Sequence, residues 1–156
     1  MRLRRRPRGS IAEVHGRPRL LVPFLADALG REALAAALRI AAAEGAVLVP
    51  ACLLVVPLEF ALDAPLTQEV ERAMPLLEAV ELAAGRARVP VDARIERGRT
   101  PTHALQKLWE AERFDRILVP APTPGAPGFA AKELAWVLTH APAEAIILRP
   151  APPRAA

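Results

Sequence analysis

The sequence predicts an α/β fold, a five-stranded, mostly parallel open sheet with helices on both faces. Short apolar runs alternate along the chain with longer segments whose apolar residues recur at helical spacing. One of those runs, Ala46–Val56, is continuously apolar, as a strand covered on both faces must be. The chain is 53% hydrophobic but only 4% aromatic, with no Tyr, which favours helices packed on a sheet over an aromatic-rich β-sandwich. Its 156 residues suit one domain.

Leu20–Phe24 reads as the first strand. A helix over about Gly30–Glu44 follows, with Leu34, Ala37, Leu38 and Ala41 on its inner stripe and Gly45 ending it. Ala46–Val56 is the second strand. From Pro75 the stripe Leu76, Ala79, Val80 and Ala83 gives a helix stopped at Gly85; Pro75 either starts this helix or kinks a longer one. Val89–Glu96 alternates and reads as a third strand near an edge, where Pro90 is tolerated. Thr100 is an N-cap with Pro101 at the first helical position, and Ala104, Leu105, Leu108 and Ala111 face inward. Asp115–Pro120 is the fourth strand, Gly128–Ala141 the fourth helix and Ala145–Arg149 the fifth strand. Strands separated by helices require right-handed crossovers and a parallel sheet. Domain organisation is then a basic arm (1–19), the α/β domain (20–150) and a Pro-rich tail (151–156).

Charge is unevenly spread. Residues 1–19 carry seven Arg against Glu13, a net +6, while residues 20–156 sum to −2. Attraction to phosphate-rich partners therefore belongs to the arm. The arm lacks the apolar segment of a secretory signal, and Ala46–Leu58 is too short and too Pro-broken to span a membrane, so a soluble, cytoplasmic domain is expected. The single Cys52 excludes an internal disulfide and reads as a buried thiol.

Four stretches resemble the universal stress protein family over Leu20–Pro150: LLVPF, VPVDARIERGRTPTHAL, FDRILVP and the ending WVLTHAPAEAIILRP. The resemblance implies strand order 3-2-1-4-5. In family members that bind ATP it implies two features: an acidic residue closing the first strand, and a loop after the fourth strand with the pattern Gly-x-x-Gly, nine residues, Gly, then Ser or Thr. Here the acidic position falls on Leu25, with Asp27 two residues too late. The first loop glycine falls on Pro120, and the closing pair falls on Ala131 and Lys132. Gly125-Ala-Pro-Gly128 followed by Leu138-Thr139 imitates the pattern out of register, because Thr139 lies at the far end of the helix.

Phosphate loops work by aiming backbone N–H groups at the anion, aided by the positive end of a helix. The prolines of this loop remove four such donors. No cofactor is expected; what is left is at most a weak anion site of Thr123, Gly125, Gly128 and Lys132. No catalytic residue is assigned, since Ser10 is the only serine and His15, His103 and His140 are scattered. One Cys and no paired His motif make a metal site unexpected.

Assembly is the remaining reading. On the fourth helix Ala130, Ala131, Leu134, Val137, Leu138 and Ala141 form the expected sheet-facing stripe. Phe129, Trp136 and His140 fall on the opposite side, a surface for the arm, the Pro-rich loop or a protein partner. In the family order the fifth strand is an edge, and the resemblance implies a homodimer built on Ala145, Ile146, Ile147 and Leu148. The arm reads as a solvated segment. Alternatively, since such domains also occur fused behind transporters, it is a juxtamembrane linker on an anionic membrane surface, with the natural chain continuing upstream of Met1. Specific nucleic-acid binding is not expected, for no aromatics interleave with the Arg cluster. The expected function is a non-catalytic, stress-linked or transporter-regulating domain acting by association. The alternative is a nucleotide-sensing module with a remodelled ATP or AMP pocket.

Overall fold

The structure, a computed structural model, describes residues 3–4, 15–25, 29–125 and 128–151. Five parallel strands, β2 (Arg19–Leu25), β3 (Val47–Val55), β4 (Arg94–Gly98), β5 (Arg116–Pro120) and β6 (Glu144–Leu148), lie in the order β4-β3-β2-β5-β6. This is the predicted order 3-2-1-4-5. A sixth strand was not foreseen: within the arm, β1 (Leu3–Arg4) pairs antiparallel with the outer side of β4, Leu3 opposite Ile95 and Arg4 opposite Arg94.

Four helices connect the parallel strands: α1 (Arg31–Glu44), α2 (Thr67–Arg86), α3 (Pro101–Ala111) and α4 (Ala131–His140). α1 and α2 cover one face, packing on Leu48, Cys52 and Leu54 of β3; α3 and α4 cover the other, packing on Val47, Val49, Ala51 and Leu53. The apolar run of β3 therefore splits its residues alternately between two cores, and Cys52 is buried as predicted. No helix among the described residues is long and apolar enough to cross a membrane.

Several elements differ from expectation for local reasons. α2 starts at Thr67, not Pro75, and carries that proline inside it. Its buried residues Ala73, Leu77, Val80 and Ala84 continue one stripe past Pro75, so packing offsets the lost hydrogen bond. Gly85 does not stop it; the left-handed residue beyond its end is Arg88, at φ 57°. Gly45, by contrast, ends α1 in the left-handed region as expected, at φ 63°. In α1 the small residues Ala33, Ala36, Ala37 and Ala41 are the buried ones, Ala37 and Ala41 belonging to the core beneath the sheet, with Leu34 and Leu38 packed against it.

The third predicted strand is broken. Leu48 donates to Pro90 O and accepts from Asp92 N, but the ladder to β3 then lapses until Ala51 meets Arg94. Pro50, buried mid-strand, stands opposite the gap, since Leu48 and Pro50 turn their backbone polar groups to the same side and Pro50 has no N–H to donate. β4 proper is therefore Arg94–Gly98, shifted towards the carboxyl end of the predicted Val89–Glu96.

Candidate functional site

Topology selects the place. Strand order reverses between β2 and β5, so the crevice at their carboxyl ends is where an open α/β sheet holds ligands. Leu25 closes β2 there, half-buried against the α3–α4 core, where the resemblance would place a carboxylate. Asp27 lies outside the described residues.

The loop after β5 is poor in amides. Pro120, Pro122 and Pro124 have no N–H, and the amide of Ala121 donates to Leu148 O at 2.7 Å. Of residues 120–124 that leaves Thr123 alone, half-buried in the loop. Gly125 turns the chain at φ 78°. Gly128 then returns so close that a Cβ there would stand 2.9 Å from Pro120 O and 3.0 Å from Pro122 N. The loop is packed on itself, and its glycine serves that close approach.

The start of α4 is chemically altered as well. Ala130 caps it with no side-chain hydrogen bond, and Glu133 stands in its first turn. One carboxylate oxygen of Glu133, Oε2, is shielded from solvent with no hydrogen-bond partner among the described residues. An acidic side chain in the first turn suits the positive end of the helix and disfavours a second anion beside it. Sequence reading weighed Lys132 here and overlooked Glu133; the structure leaves Lys132 exposed. The four residues of the weak anion site thus share one loop and helix start, but over residues 120–124 three of the five backbone amides are absent and that of Ala121 is spent.

The outer surface of α4 needs correction. Phe129 is not on it: at 1% exposure it is buried with Leu105, Leu108, Val119 and Val137, because the helix begins two residues later and the preceding turn points this ring inward. Val137 is the fully buried position of the helix, while Ala130, Ala131 and Leu138 are exposed. Trp136 is stacked on Trp109 of α3, ring centroids 5.1 Å apart and planes within 3°, and on His140 at 4.9 Å. His140 Nδ1 lies 2.9 Å from Trp136 O. What covers Trp136 is its own chain's Trp109 and His140. His103 also has a local task, its N–H donating to Thr100 Oγ1 at 3.0 Å and its Nδ1 accepting from Arg99 N at 2.9 Å, which fixes the start of α3.

At the opposite end of the sheet lies a charged network that the periodicity did not reveal. Arg94 is fully buried, and all five of its N–H donors are engaged: Nε and Nη2 on Glu112, Nη1 and Nη2 on Asp92, and Nη1 also on Ala93 O. Arg19 reaches the same pair, 3.3 Å from Asp92 and 3.3 Å from Glu112, with its guanidinium over Phe114. Burial alone would raise the Asp92 carboxyl, but hydrogen bonds and charge from Arg94 and Arg19 more than offset this and hold it below the usual range. Burial would likewise lower Arg94, and Glu112 and Asp92 reverse that. A concavity of about 510 Å³ opens beside the network, lined by Trp109, Glu110, Glu112, Asp115 and Pro142 among others. Its three carboxylates do not suit a phosphate. Among the described residues no cluster of His, Cys, Asp or Glu could hold a metal ion.

No family model and no curated sequence matches the chain. Solved structures do. Universal stress protein UspA from Lactobacillus plantarum superposes with a TM-score of 0.65 at 21% identity, covering 86% of this chain and 100% of that one. The fold is that of the universal stress proteins. A second universal stress protein, crystallised in complex with cAMP, matches with a TM-score of 0.54 at 22% identity over 86% of this chain and 98% of its own. A family protein from Arabidopsis thaliana, with AMP bound, matches at 0.58 and 12% identity over 86% and 92%.

Proposed function

We propose that this chain is a non-catalytic universal-stress-like domain that acts by association, as a homodimer through the β6 edge, and that its nucleotide site is degenerate. The observation that carries the reading is the β5–α4 loop: prolines at 120, 122 and 124, the Ala121 amide committed to Leu148, and Gly128 packed against Pro120 and Pro122. Over residues 120–124 a loop so built offers a triphosphate few amide donors, and Leu25 offers the ribose hydroxyls no carboxylate to accept their hydrogen bonds. The β6 edge supports the association half: Ala145, Ile146, Ile147 and Leu148 are only partly covered within one chain and form an apolar strand. The domain works in the cytoplasm, either free or as the regulatory part of a transporter, where the arm, at +6, suits an anionic leaflet.

A second reading is favoured by two structural relatives, one in complex with cAMP and one with AMP bound: a module sensing a nucleotide with fewer phosphates in a remodelled pocket. Calorimetry with ATP, ADP, AMP and cAMP separates the two. The proposal expects no heat of binding at millimolar ATP, and a low-micromolar dissociation constant for any of the four overturns it.

A further inference from the structure

An open sheet has two outer strands, and here one of them is already paired. β1 runs antiparallel to β4. Eight consecutive residues, Val91–Gly98, are buried in the single chain, including Asp92, Arg94, Glu96 and Arg97. Outer strands are ordinarily left partly exposed, with charges on them as a deterrent to pairing.

The connection can be made within one chain. β1 ends at Arg4 opposite Arg94, at the amino end of the sheet, and β2 begins at that same end with Arg19. Three inter-strand spacings, roughly 14 Å, separate them laterally. The intervening residues 5–18 could extend to roughly 46 Å. Overall charge favours the arrangement too, since the arm carries +6 against a body of −2.

We infer that β1, the described strand of the amino-terminal arm, is a built-in cap for the β4 edge at Arg94 and Ile95. Seated, it pairs with Arg94 and Ile95, denies that stretch of the edge to other strands, and leaves β6 as the outer strand with no strand partner on its far side among the described residues. Released, it exposes the backbone groups of β4 to the β4 strand of a second copy. The inference does not require β6 to dimerise, since the β4 edge gates one additional step of association whatever β6 does.

The test uses the full chain and its Leu3→Pro/Arg4→Pro variant, which removes both β1 amides while keeping the length and nearly all of the charge. Hydrogen exchange of β4 is expected to accelerate at least about tenfold in the variant while β3 is unchanged. Sedimentation should then show assembly one step beyond that of the parent chain. Unchanged β4 exchange, or faster β4 exchange with unaltered assembly, overturns the inference. Should the variant lose β3 protection as well, the parent chain decides. Raising salt to about 0.5 M should weaken the arm's attraction and speed exchange in β4 but not β3, and equal exchange at both salt levels overturns the cap. Adding Ile147→Arg to the variant separates the edges, because assembly that survives it runs through β4.

Discussion

β4 and β6 occupy equivalent places as the outermost parallel strands, yet they are chemical opposites. β4 reads Arg-Ile-Glu-Arg-Gly and is buried throughout; β6 reads Glu-Ala-Ile-Ile-Leu and is only half covered. Hydropathy alone would assign them the other way round. The resolution lies in what each face meets. Arg94, Glu96 and Gly98 point to α3, and they meet Glu112, Lys107 and Ala104 in turn. From Arg94 to Gly98 the strand rises about 13 Å, and the eight positions from Glu112 back to Ala104 span about 12 Å, so strand and helix stay in step. On the other face Arg97 donates to Ala64 O, and beyond the strand end Arg99 holds Pro57 O and Phe60 O at 2.7 Å, which ties down the loop after β3. Charges are thus used where the strand already has partners, and apolar residues remain where it has none.

The sharpest way to break this contrast is Arg94→Ala, which takes from the buried Asp92 the guanidinium that holds both of its oxygens. Chemical denaturation should show a loss of about 3–5 kcal/mol, the range for breaking a buried pair. Gly98→Ala attacks the seam sterically: its Cβ would fall 2.3 Å from Ala104 N. Since backbone must move, a loss of about 2–3 kcal/mol is expected in the same assay.

A pH series sharpens the comparison further. The folded Asp92 carboxyl lies below its ordinary value of 3.8, so its contribution is fully present above that value and disappears as pH falls through the folded one. The stability gap between the parent chain and Asp92→Asn should therefore be constant from neutral pH to about pH 5 and narrow below about pH 4. At β6 the expected effect on folding is smallest. Ile147→Arg, at a half-buried position on the α3–α4 core, should cost about 1 kcal/mol in the same assay, while sedimentation shifts from dimer to monomer.

How far the sequence revealed this depended on the kind of signal. Periodicity located all five parallel strands and four helices, because an apolar stripe is a one-dimensional record of burial. It missed the amino half of α2, since Pro75 interrupts the local pattern while the packing of Ala73 and Leu77 continues through it. It misplaced Phe129, whose direction is set by where α4 begins and not by the helical wheel. It gave no hint of the Arg94 network, because a buried charge betrays itself only through its partners, and Glu112 is eighteen positions away. The prolines and misplaced glycines of the β5–α4 loop were legible directly. Glu133 was legible too, as an acid in a first helical turn, and the structure adds that one of its carboxylate oxygens is shielded without a partner among the described residues. β1 was hidden in an arm whose composition speaks only of charge.

Hydrogen exchange followed at both outer strands of the full chain, from sub-micromolar to tens of micromolar protein, bears most directly on the unlike edges. The account predicts that the amides of Ala145–Leu148 slow as concentration rises, while those of Arg94–Gly98 are protected equally at every concentration. Exchange in Ala145–Leu148 indifferent to concentration, with Arg94–Gly98 protected only at the upper end, would contradict it.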